Sequence, residues 1–158
     1  MNAHRHRREP VDLPEPARPD PRMGELGRLR ALRTAGAERE QLALRKRWRQ
    51  ERAALRQAVE AWRAGERRTR DDWQAARAAF FAMQCSGGQF RAAKAAYERG
   101  RQGGALARAA AQEQAAGCRA SGRRFFAAGE ALRQARKRQE KLRILDQELK
   151  RLLAQVEA

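Results

Sequence analysis

Trp48, Leu55, Val59, Trp62, Trp73, Ala76, Phe80 and Met83 fall on the a and d positions of one heptad frame, interrupted after Leu55 only by Glu66 and Thr69. Leu26, Leu29 and Leu32 form a second apolar patch out of that frame, which predicts a local stutter in a supercoil. Phe90, Ala93 and Tyr97 mark one helical face farther on, and Leu142, Leu145, Leu149, Leu152 and Val156 make an unbroken 3-4 repeat. No proline follows Pro21, and Ala, Arg, Leu, Gln and Glu dominate from Arg22 onward, so nothing there forbids helix. The glycine pair Gly87-Gly88 offers the left-handed backbone that ends a helix. The pattern therefore predicts an all-α fold, a long antiparallel two-helix coiled-coil hairpin with a disordered N-terminal leader. Its parts are a Pro-rich leader 1–21, an arm 22–85, a turn 86–88 and an arm 89–158. Each arm would be about 95–105 Å long. Gly100–Gly104 is the alternative place for the reversal.

A turn centred near Gly87 sets position i opposite position 175 − i. Trp73 and Trp62 then face the small-residue stretch Gly100–Gly122, with bulky side chains nesting on small ones. Phe125 and Phe126 approach Trp48, while Leu142, Leu145 and Leu149 meet Leu32, Leu29 and Leu26. Cys85 faces Phe90 and Cys118 faces Gln57, so the thiols stand roughly 40–50 Å apart and no intrachain disulfide can form. Two further local signals concern helix starts. Asp20-Pro21 has the form of an N-cap followed by a first-turn proline, and Ser86-x-x-Gln89 has the spacing of a capping box.

Composition narrows the function. Charged residues are 35% of the chain and aromatics 6%, too little large apolar surface for a globular core but enough for a narrow seam. The net charge is +17, carried by the arms: residues 22–85 hold 16 basic and 8 acidic side chains, 89–158 hold 16 and 7, and 1–21 are neutral. Such a chain attracts polyanions. The longest apolar run, Ala78–Met83, is far short of a membrane span, and no targeting segment is evident, so a soluble cytoplasmic protein with no membrane insertion is expected.

No glycine-rich loop has the spacing of a phosphate cradle, and His4 and His6 are the only histidines, without a third ligand. No cofactor, metal or enzymatic activity is expected. The densest functional-looking feature is Arg133, Arg136, Lys137, Arg138, Lys141 and Arg143, opposed only by Glu140. Arg133, Arg136, Lys137 and Lys141 share one side of a helix.

Certain segments bear on kinship. They are Leu29-Arg30-Ala31-Leu32-Arg33, the tryptophan-containing first arm, the aromatic-led Gln89-Phe90-Arg91-Ala92-Ala93-Lys94, and Gln134-Ala135-Arg136-Lys137-Arg138-Gln139-Glu140-Lys141-Leu142. In this order and spacing, over roughly 22–150, the chain resembles the central-stalk proteins of bacterial type III secretion systems, the YscO/FliJ-like family. The resemblance implies a non-enzymatic stalk at the cytoplasmic face of the secretion apparatus. Its paired terminal ends would enter the export ATPase hexamer and its mid-chain region would reach the membrane export gate protein, with secretion chaperones as a further partner. Carried over, the ATPase-binding residues would be Leu26, Leu29, Arg30, Arg33, Arg133, Arg136, Lys137 and Lys141. The export-gate residues would be Phe90, Lys94, Tyr97 and Arg101; Lys94 and Arg101 depart from the apolar or neutral residues the family pattern has there. The Pro-rich leader and the +17 charge also depart from it. The alternative is a basic coiled coil that binds nucleic acid by neutralising phosphates.

Overall fold

The computed structural model describes residues 21–157, so residues 1–20 of the expected leader, with His4, His6 and the Asp20 cap, lie outside the described residues, and Pro21 belongs to the first helix. Two helices, α1 (Pro21–Phe81) and α2 (Gly87–Glu157), account for all of the described chain except 82–86, and they pair as an antiparallel hairpin. Pro21 opens α1, where a missing N–H costs nothing.

The reversal is made by 82–86, slightly before the position expected. Met83, with φ of 57°, is the left-handed residue, and no glycine has positive φ. Met83 N–H donates to the Phe80 carbonyl at 3.0 Å and Gln84 N–H to the Ala79 carbonyl at 2.8 Å. These are the two bonds of a Schellman stop, with methionine where glycine is usual. Gly87 and Gly88 begin α2 instead of forming the turn, and Gly100–Gly104 lie within α2, which removes the alternative reversal.

The start of α2 follows the capping-box spacing. Ser86 N–H donates to Gln89 Oε1 at 2.8 Å, and Gln89 N–H donates to Ser86 Oγ at 3.2 Å. Two backbone donors are thus satisfied reciprocally. Ser86→Ala is expected to cost about 1 kcal/mol, read as a lower midpoint in urea unfolding with an unchanged slope.

The chain divides into two compact units. In residues 36–133, half-buried and buried positions recur at 3-4 spacing on both helices. On α1 they include Leu44, Trp48, Leu55, Trp62, Trp73 and Ala76; on α2, Phe90, Tyr97, Gly100, Ala111, Cys118, Ser121, Phe125 and Leu132. This is a coiled-coil seam. Of the expected frame, Glu66 and Phe80 are exposed, Phe80 at 38%, and Met83 is outside the helix at 91% exposure. Aromatic rings pin the seam at two places. Trp48 stacks on Phe125 at 5.3 Å and meets Phe126 edge-on at 5.4 Å. Trp73 stacks on Phe90 at 5.4 Å and on Tyr97 at 5.1 Å, and Phe80 stacks on Phe90 at 4.3 Å.

Trp73 therefore packs large against large, not on the small stretch near residue 102. Small-against-large packing does occur, five residues off the expected register. A Cβ on Gly122 would stand 3.0 Å from Trp48 Nε1, so the residue facing Trp48 is 122 and not 127. Gln41 likewise faces Gly129, where 134 was expected. Placing the reversal two to three residues earlier displaces every facing pair by twice that amount. Cys85 and Cys118 are both free thiols, and Cys118 is buried.

The second unit joins the terminal helical segments, 21–35 and 134–157. Its seam consists of Met23, Gly27, Arg30 and Thr34 on α1, with Ala135, Gln139, Leu142, Asp146 and Leu153 on α2. On α1, half-buried positions keep the 3-4 step from Met23 to Trp62, so the expected stutter is absent. On α1 only Met23 of this seam is a large apolar residue, and on α2 Gln139 and Asp146 interrupt Ala135, Leu142 and Leu153, so its hydrophobic signal is weak, whereas the leucines beside it carry a strong one. Leu26, Leu29, Leu32, Leu145 and Leu149, expected to meet across the seam, are all exposed.

Candidate functional site

Most of the terminal residues singled out in the sequence lie in this second unit. Leu26 precedes the seam position Gly27 by one residue, Leu29 precedes Arg30, and Arg33 precedes Thr34. On α2, Arg138, Lys141, Leu145 and Leu152 precede Gln139, Leu142, Asp146 and Leu153 in the same way. One residue is 100° of helical rotation, and in an antiparallel pair the same offset on both helices points to the same side. One face of the unit therefore carries leucines from both helices, with Arg33, Arg138 and Lys141 beside them. Leu29 is 52% exposed, Leu145 57% and Leu152 60%. Large side chains in a stripe of this kind mark an interaction surface more than scattered single ones do.

Arg30 is half-buried in the seam, where its carbonyl accepts a hydrogen bond from Thr34 Oγ1 at 3.0 Å. Arg136, Lys137 and Lys141 are exposed, and among the described residues no carboxylate pairs with Lys137 or Lys141. Arg133 belongs to the other unit, where its Nε donates to Glu130 at 3.0 Å. Arg143 donates to Glu140 through Nη2 at 2.7 Å and Nε at 3.1 Å. That hydrogen bond holds the Glu140 carboxyl below its ordinary range and raises the Arg143 guanidinium. Lys150 and Asp146 pair at 2.6 Å, and Arg151 and Glu148 at 3.0 Å. These exposed pairs favour helix only slightly, because solvent screens them.

The residues assigned by resemblance to the gate separate into two groups. The Phe90 and Tyr97 rings are held in the seam against Phe80 and Trp73, whereas Lys94 and Arg101 are exposed. Tyr97 and Arg101 also line a cavity of about 630 Å³ with Glu66, Arg70 and Arg108. At the turn end, Phe81, the last residue of α1, and Met83, in the turn, present large apolar side chains to solvent. Reading the turn at 86–88 hid Met83, because it put that residue inside the first arm.

Among the described residues no group of three or more His, Cys, Asp or Glu could hold a metal ion. No helix there is long and apolar enough to cross a membrane. Comparison with protein-family models, curated proteins and solved structures gave no match for this chain.

Proposed function

We propose that this protein is a non-enzymatic stalk of a bacterial type III export apparatus, working at its cytoplasmic face. Its terminal unit engages the export ATPase ring, and its turn end engages the membrane export gate, with secretion chaperones as further partners. The observation that supports this most is the two-helix leucine face with Arg33, Arg138 and Lys141 along it. Such a face suits a partner that offers apolar side chains bordered by carboxylates.

The test is stimulation of a purified export ATPase from a type III system by the full chain. Arg136→Glu/Lys137→Glu/Lys141→Glu is expected to reduce stimulation at least tenfold while helicity by circular dichroism is unchanged. Leu29→Ser/Leu145→Ser is expected to do the same. No stimulation by the native chain, or stimulation untouched by both variants, overturns the reading.

The +17 charge supports a second reading, sequence-independent nucleic-acid binding. That reading requires affinity for a DNA duplex that falls steeply and linearly with the logarithm of salt concentration.

A further inference from the structure

Away from both ends, in the unit formed by 36–133, a groove of about 800 Å³ runs between the helices. Its floor is apolar, with Trp48, Leu55 and Phe126 in the lining. Phe126 is 61% exposed although it also meets Trp48 edge-on. The walls are basic. Arg52 and Arg56, one turn apart on α1, line one side, and Arg119 and Arg123, one turn apart on α2, line the other. No carboxylate lines the groove, and among the described residues none pairs with Arg56, Arg119 or Arg123. Some other arginines on these helices do meet a glutamate three or four residues away, as Arg47 meets Glu51 and Arg133 meets Glu130. Two like-charged i, i+4 pairs facing one another repel, and a ligand that brings negative charge to both walls relieves that repulsion.

We propose that this groove docks an acidic amphipathic helix of a partner protein. An apolar ridge would lie on Phe126 and Leu55, and carboxylates on either flank of the ridge would take the arginines bidentately. The spacing favours a helix, because each wall offers guanidinium groups at one-turn intervals. Single-stranded nucleic acid fits less well. Successive bases need several open aromatic faces, and of the two lining rings only Phe126 is exposed, because the Trp48 ring is already stacked on Phe125, with the Arg52 guanidinium over it at 5.0 Å. A second copy of this chain, carrying the same +17, brings the wrong charge.

The experiment uses the full chain and a fluorescently labelled 18-residue helical peptide, with leucine and phenylalanine on one face and glutamate on both flanks. A scrambled peptide of equal composition, a labelled oligothymidylate and phosphatidylserine vesicles are run beside it in 0.15 M salt. The amphipathic peptide is expected to bind at least tenfold more tightly than the scrambled one. Arg56→Glu/Arg119→Glu/Arg123→Glu should weaken it at least tenfold with helicity unchanged, and Phe126→Ala should weaken it several-fold. Equal affinity for the scrambled peptide would reduce the groove to a patch of charge and overturn the proposal. So would oligothymidylate or vesicles binding more tightly than the peptide with the same sensitivity to the triple variant. Unchanged peptide affinity in the triple variant would place binding elsewhere and equally overturn it.

Discussion

Trp73→Ala lowers the thermal midpoint by roughly 10 °C, followed by far-ultraviolet circular dichroism. The ring stacks on both Phe90 and Tyr97, and Phe90 is itself stacked on Phe80. Truncation removes the shared partner of two α2 rings at once. A fully buried tryptophan costs about 3–5 kcal/mol when cut to alanine. Trp73 is half-buried, so the lower end applies, about 3 kcal/mol. For a chain of this size each kcal/mol is about 2–4 °C. Trp73→Phe keeps a stackable ring and is expected to lose less than half as much. Equal losses from the two replacements would mean that the ring stack is not what holds this part of the seam.

The second large effect is at Gly100. An added Cβ would lie 2.6 Å from both Thr69 Oγ1 and Cγ2 and 3.2 Å from Thr69 Cβ. The threonine side chain is short and branched, so it has no flexible end to move aside, and the helices must separate locally. Such overpacking costs about 1–3 kcal/mol. Alanine recovers at most about 1 kcal/mol through helix propensity, so Gly100→Ala is expected to be destabilising. In the Thr69→Ala background the two contacts at 2.6 Å are gone and only the Cβ at 3.2 Å remains, so the same replacement should lose most of its cost. Gly117→Ala, where nothing lies within 4 Å of the added carbon, should gain about 1 kcal/mol in the native background. Urea midpoints of the native protein and the four variants check these effects, and Gly100→Ala raising the midpoint by itself would refute the close approach.

The all-α hairpin was legible in the sequence because several local signals agree: no proline after Pro21, strong helix formers throughout, and a Ser86-x-x-Gln89 box that forms with both hydrogen bonds. The association of Trp48 with Phe125 and Phe126 was legible too, since three large rings in an alanine-rich chain have few other places to go. The turn was misplaced because glycine is the usual left-handed residue, while here Met83 takes that conformation and the glycines start the next helix.

The terminal seam was misread for a related reason. Hydrophobic periodicity follows Leu26, Leu29, Leu145 and Leu149, but the half-buried positions are Gly27, Arg30, Gln139 and Asp146. No pattern of apolar residues announces such a seam. The leucine face became apparent only once the inward positions were known. The basic groove combines residues distant in sequence, Arg52 and Arg56 with Arg119 and Arg123, and its assembly depends on a register that the misplaced turn displaced by five residues.

The terminal unit excludes little apolar surface from water, since its seam mixes Met23, Leu142 and Leu153 with small and polar residues while most of its leucines stay wet. Backbone amides of 21–35 and 134–157 should therefore exchange with deuterated solvent far sooner than those flanking Trp73, like a zipper that opens from its free ends. A ligand that covers those leucines would slow the exchange in proportion to its grip, so the same segments report on their own occupancy.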